Sequence, residues 1–182
     1  MLDGADFGAY VGALVRNIPD FPKPGILFKD ITPLIGDAKA LRMVVGALAE
    51  PWVNQRIDAV VGIESRGFIF GAAVAMQLDA GFVPLRKPGK LPSDVDSVTY
   101  QLEYGSSTLE MHRDALRAGD RVLIVDDLLA TGGTAAAAVE LVRRQGGEVA
   151  ALTFVVELAF LQGRSVLGDT QVRSLLVYGE GE

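Results

Sequence analysis

The run VLIVDDLLATGGT, residues 122–134, sets two adjacent carboxylates behind four apolar residues and follows them closely with a turn of small residues. A helix that opens near 131–133 leaves its first backbone N–H groups without intrahelical partners, and these attract an anion. Gly132 and Gly133 let a phosphate approach the backbone, Ala130 adds little bulk, and Thr131 and Thr134 add hydroxyl donors. Asp126 and Asp127 cannot bind that phosphate, because carboxylates accept hydrogen bonds. Sugar hydroxyls donate them, and a divalent cation is a natural counter-ion. Together the two features describe a ligand with a phosphate at one end and a diol beside it, such as a ribose 5-phosphate. Paired acids also favour positive charge growing on the sugar ring when a bond at C1 breaks. A capping Asp127 in front of a tight turn is the plainer reading of a lone acidic pair. The full run of strand, acids, spacers and small-residue turn favours a site. The two widespread phosphate-loop patterns, G-x-x-x-x-G-K-[ST] and G-x-G-x-x-G after a strand, are missing.

The elements that would position this run are short apolar strands alternating with helices. Strands are expected at 25–29, 59–63, 82–85, 122–125 and 149–156, with one more at 174–177. Helices are expected at 6–15, 37–50, 67–78 and 133–145. Residues 98–104 and 108–111 flank Gly105-Ser106-Ser107 and read as a hairpin. Prolines at 19, 22 and 24 forbid a regular helix there. The alternation predicts an α/β fold with a mostly parallel central sheet flanked by helices. Ligands bind at the carboxyl ends of such strands, and three unusual polar turns fall at such ends: ESRG (64–67), LRKPGK (85–90) and DDLLATGGT (126–134).

The composition narrows the choice of partners. The chain has 182 residues, 49% apolar and 22% charged, enough for one domain spanning 1–182 with a sizeable core. A formal charge of −6 argues against general nucleic-acid binding. Lacking cysteine, the chain has no disulfide or thiolate chemistry, which suits a reducing compartment. The N-terminal stretch does not read as a signal peptide, and no apolar run reaches the roughly 20 residues of a membrane span. His112, the only histidine, is expected to be exposed, and Trp52 to be packing.

The 122–134 run resembles the phosphoribosyl-pyrophosphate motif of type I phosphoribosyltransferases. The blocks FPKPGILFKDITPL, GIESRGFIFG, LRKPGKLP and LEYG extend the likeness along most of the chain, in the order and spacing of the family's adenine-specific branch. The resemblance implies that fold with a small hood, from roughly 19–35 plus a C-terminal segment, and a flexible β-hairpin lid over roughly 88–112. It implies a magnesium-dependent transfer in which adenine and phosphoribosyl pyrophosphate give AMP and pyrophosphate, in the cytoplasm, by a homodimer, with no nucleic acid or membrane as partner. Mg2+ would be held mainly by substrate and water, with no direct protein ligand.

By the same resemblance Asp126, Asp127, Ala130, Thr131, Gly132, Gly133 and Thr134 hold the phosphoribosyl group. Glu64, Ser65, Arg66, Arg86, Lys87 and Lys90 serve the pyrophosphate, partly across the dimer interface, and the Glu64–Ser65 peptide is expected to be cis. Leu27, Phe28, Lys29 and Leu158 serve adenine. An extended backbone offers one C=O to N6 and one N–H to N1, a pattern that hypoxanthine reverses. Glu103 matches the family's acid/base glutamate. Taken alone, Arg66 also reads as a solvated turn residue, the basic loop as a solvated one, Glu103 as a solvent-facing strand residue, and Phe28 and Leu158 as core.

Three rivals bound this assignment. VLIVDD also opens receiver domains, but those continue for about a hundred residues with a later phospho-accepting Asp, and only 55 residues follow Asp127 here. A non-catalytic ligand sensor of the same fold usually carries an added DNA-binding segment, for which this chain has no spare length. Transfer to another purine such as xanthine differs only in the base.

Overall fold

The structure, a computed structural model, describes residues 4–101 and 105–182. Its centre is a five-stranded, all-parallel sheet. The strands are β3 (Ala59–Ile63), β4 (Gly81–Leu85), β7 (Arg121–Leu129), β8 (Glu148–Leu158) and β9 (Val172–Tyr178), in the order β4-β3-β7-β8-β9. Strand side chains alternate between the two faces. Val61, Ile63, Ile124 and Leu152 therefore join the cluster under α5 (Gly133–Arg144), whereas Val60, Leu123, Val125 and Val155 join the one under α3 (Ala38–Ala49) and α4 (Gly67–Gln77). Both faces are covered, and the strands read as nearly unbroken apolar runs for that reason.

Several expected boundaries shift. The first helix, α1, runs Gly4–Gly12. The expected edge strand is β2 (Leu27–Asp30), and its partner β1 (Arg16–Pro19) had no alternating apolar pattern to betray it. These two strands form a separate antiparallel pair. A short helix α2 (Thr32–Gly36) follows, with proline in its first turn where the lost N–H costs nothing. Asp37 caps α3 by accepting from the Ala40 N–H at 2.7 Å.

The hairpin is β5 (Val95–Gln101) with β6 (Ser106–His112), paired Val98 to Leu109. Val98, Leu109 and Met111 bury against the α5 side of the sheet. The Arg86 and Glu110 main chains exchange two hydrogen bonds, which ties the end of β4 to β6. His112 is half-buried, not exposed: it ends β6, with its Nε2 shut off from solvent and unpartnered among the described residues. Trp52 is packed, at 2% exposure. Among the described residues no helix is long and apolar enough to cross a membrane.

The strand order sets the place for a ligand. From β3 the chain steps outward to β4. After the hairpin it returns to the other side of β3, and from there continues to β8 and β9. The direction reverses between β3 and β7, and the crevice at their carboxyl ends is where such sheets bind ligands.

Candidate active site

Strand β7 is longer than its apolar run. It continues to Leu129, so Asp126 and Asp127 are strand residues at the carboxyl end. Both are 8% exposed. Burial pushes the Asp126 carboxyl well above the usual carboxylate range, and the charge of Asp127 pushes it further. Burial also raises Asp127, although Arg66 opposes it. A buried acid pair of this kind favours any positive or hydrogen-bond-donating group that enters.

The turn after β7 leads into α5 through Gly132, whose φ of +84° is left-handed and suits glycine alone at low cost. No side chain caps this helix. Asp127 is thus not the capping residue of the plainer reading, and the first amides of α5 are left for a ligand.

Across the crevice, β3 ends at a cis peptide between Glu64 and Ser65, as the resemblance implied. Arg66 follows, and its Nε lies 3.0 Å from Asp127 Oδ2. Gly67 opens α4 hard against β7. A Cβ there would stand 2.8 Å from Asp126 Oδ1 and 2.9 Å from the Val125 carbonyl oxygen, so only glycine lets the turn sit this close. Glu64 accepts from Arg86 Nε at 3.0 Å and from the Lys87 N–H at 3.1 Å. Burial alone would raise its carboxyl, but these two donors outweigh that and hold it below its usual range. Glu64 thereby anchors the basic loop, a role for which an acid suits better than contact with an anion.

These groups line one cavity of about 380 Å3. It gathers Glu64, Ser65, Arg66, Lys87, Asp126, Asp127 and the whole of 130–134. Tyr100, Ser107 and Leu109 of the hairpin and Phe154 of β8 complete the wall. The sequence reading missed these four. Tyr100 receives a hydrogen bond from the Thr134 hydroxyl at 3.0 Å, a contact between residues 34 positions apart that no local pattern announces.

Comparison with known proteins places the chain in a family. Residues 35–171 match the phosphoribosyl transferase domain family. The adenine phosphoribosyltransferase of Nitrosococcus oceani is 62% identical over 90% of this chain and 96% of its own length. That of Sorangium cellulosum is 58% identical over 95% and 89%. The chain belongs to the adenine phosphoribosyltransferase family. Among solved structures of the family, the enzyme of Rhodothermus marinus superposes with a TM-score of 0.91 at 53% identity, covering 96% of this chain and 99% of its own. The Saccharomyces cerevisiae enzyme, solved with an imino-altritol bisphosphate and adenine, gives 0.89 at 43%, covering 94% and 99%.

Measured against the family pattern, some expected residues lie off the cavity wall. Arg86 and Lys90 stand behind it, with Arg86 donating to the Lys90 carbonyl at 3.2 Å. Leu27, Phe28, Lys29 and Leu158 are also outside the wall. Phe28 lies beside it, with the Arg66 guanidinium 5.7 Å from its ring. The Lys29 side chain turns away: it is 5% exposed, donates to Asn17 Oδ1 at 2.7 Å and to the Glu182 carbonyl, and lies 4.0 Å from the Tyr178 ring centre. Any contact with a base would fall to its backbone. Glu103 and Tyr104 lie outside the described residues.

Proposed function

We propose that this chain transfers the 5-phosphoribosyl group of phosphoribosyl pyrophosphate to adenine, giving AMP and pyrophosphate in purine salvage. The observation that carries the reading is the buried Asp126–Asp127 pair beside the uncapped start of α5, in one cavity with Arg66 and Lys87 opposite. The named activity of relatives 58–62% identical over nearly the whole chain supports the base and the donor.

In this reading the amides and hydroxyls of 130–134 hold the 5-phosphate, and Asp126 and Asp127 hold the ribose diol. Arg66, Arg86, Lys87 and Lys90 neutralise the pyrophosphate, Ser65 binds it as a hydrogen-bond donor, and Glu64 keeps the basic loop in place. The bond from C1 to the pyrophosphate oxygen breaks, and C1 bonds to adenine N9, which gives up its proton. Glu103 is the proposed acid/base for that proton. The backbone of 27–29 reads adenine, with Leu158 as an apolar wall. The hairpin of 88–112 excludes water as a lid, and 19–35 with the C-terminal segment forms a hood. Positioning and charge stabilisation do most of the work.

Magnesium, when bound, supplies charge neutralisation at the pyrophosphate oxygens. The residues present fit that role. Three acids, Glu64, Asp126 and Asp127, line the cavity, and in this reading substrate oxygens and water hold most of the ion's coordination. The homodimer is supported by the apolar Ile69 and Met76, exposed seven residues apart on α4 next to the open edge of β4. The cytoplasm as compartment rests on the resemblance alone.

The test mixes the protein with magnesium, phosphoribosyl pyrophosphate and each purine in turn. AMP from adenine alone is expected. IMP or XMP in its place overturns the base assignment, and no nucleotide from any purine overturns the reaction.

A further inference from the structure

Beyond the cavity wall, one polar assembly around a buried carboxylate has no part in the chemistry just described. Glu157, near the end of β8, is 5% exposed. Its carboxylate accepts both arms of the Arg164 fork at 2.7 Å, and the Ser174 hydroxyl of β9 at 2.5 Å. A third Arg164 nitrogen donates to the Val172 carbonyl at 3.1 Å. Arg164 thus nails the turn of 159–167 to two strands of the sheet.

That turn presses on the phosphate loop backbone to backbone. A Cβ on Gly163 would stand 2.2 Å from the Ala130 carbonyl oxygen, and one on Gly132 would stand 2.3 Å from the Gly163 carbonyl oxygen and 2.5 Å from Val166 Cγ2. Two glycines meet because neither segment has room for a side chain. The 130–132 stretch is therefore wedged against the 159–167 turn, and the aim of its amides depends on where that turn is held.

We propose that Arg164 and Gly163 are positioning residues for the 5-phosphate: the Arg164–Glu157 fork holds Gly163 against Ala130 and Gly132 and so sets the direction of the amides that grip the ester. This rests on the proposed role of 130–134. The Glu157 carboxylate is buried while the Arg164 side chain is half exposed, and it is the bidentate fork with its third donor that sets the pair apart from an ordinary surface pair. Among the described residues the Arg164 side chain hydrogen-bonds to Glu157 and Val172, neither of which lines the cavity, so its effect is transmitted through the backbone of Gly163.

The experiment is calorimetric titration of ribose 5-phosphate, and separately of pyrophosphate with magnesium, into the full chain and its Arg164→Met and Arg164→Lys variants, with steady-state kinetics alongside. Arg164→Met is expected to weaken ribose 5-phosphate binding about tenfold or more and to raise KM for phosphoribosyl pyrophosphate more than it lowers kcat. Pyrophosphate binding should stay within about twofold. Arg164→Lys, which keeps the charge and loses the fork, should fall between. Equal weakening of both ligands, or unchanged ribose 5-phosphate affinity in either variant, overturns the inference. If Arg164→Met does not fold, Arg164→Lys is read by the same criteria. A wild-type chain that binds no ribose 5-phosphate overturns the phosphate-loop reading itself, which is a different failure.

Discussion

Arg66 Nε lies 3.0 Å from Asp127 Oδ2, joining the turn after β3 to the end of β7 across the crevice where the strand order reverses. The carboxylate side is the more deeply buried, with side-chain exposures of 34% for Arg66 and 11% for Asp127. A ribose diol that reaches Asp127 must share or replace this contact, and a pyrophosphate that draws Arg66 away must leave the acid free for the diol. The same pair thus couples the two halves of the proposed substrate.

Removing the cation strands the acid. Arg66→Met should lower folding stability by about 1–3 kcal/mol, the cost of a buried acceptor left without its partner, and should cut turnover at least about tenfold. Denaturant titration and steady-state kinetics check both. An unchanged unfolding midpoint would show that solvent already screens Asp127.

Asp126 works in the opposite sense. Its carboxyl is raised by burial, so the folded state holds a proton more readily than the unfolded one, and ionised Asp126 lowers stability at neutral and higher pH. Asp126→Asn keeps the acceptor that receives the Asp127 N–H at 2.9 Å and removes the charge. The variant should melt a few degrees higher at pH 7.5, as a gain of about 1 kcal/mol produces in a chain of this size, with turnover lost. That advantage should shrink as pH falls. A lower melting temperature at pH 7.5 would refute it.

Acid should also act at Asp30, which is not among the cavity-lining residues. A hydrogen bond from Arg16, foremost, and those from Thr32 lower its carboxyl from 3.8 to about 2. The stabilisation is complete above the unfolded value and fades as pH falls from about 4 towards 2. Asp30→Asn should therefore be less stable than the parent at pH 6, by a margin that narrows clearly towards pH 2.5 and vanishes only below about pH 2. Melting curves across that range decide, and a constant difference would defeat the assignment.

Thr131 is exposed at the cavity mouth. Thr131→Val should raise KM for phosphoribosyl pyrophosphate at least about tenfold, the worth of one hydrogen bond to a charged group, with an unchanged melting temperature. A KM within twofold of the parent would remove this hydroxyl from the phosphate cradle.

The apolar face of α4 gives the last expectation. Met76→Glu, at a residue 85% exposed, should convert a dimer to a monomer in light scattering if that face is the interface. A variant still dimeric would move the interface elsewhere.

Much of this was legible in the residues themselves. The strand at 59–63, the helix starts at 67 and 133, the acidic pair and the phosphate turn were readable because apolar runs, glycines and charged strand ends are local signals. The length of β7 was not, since Asp126 and Asp127 interrupt its apolar run and only pairing with β8 keeps the segment beyond them extended. Strand β1 escaped because its residues are exposed and carry no period. Tyr100, Ser107, Leu109 and Phe154 entered the cavity wall through packing of distant segments, and the hydrogen bonds of Glu64 with Arg86 and Lys87 likewise depend on tertiary contact.

The amino-acid order alone determined which groups could grip a phosphate and a diol, because that capacity lies in side-chain and backbone chemistry within thirteen consecutive residues. Tertiary structure alone decided that Arg66 faces Asp127 and that Gly163 meets Gly132, because such contacts depend on strand order and close packing, which no local spacing encodes.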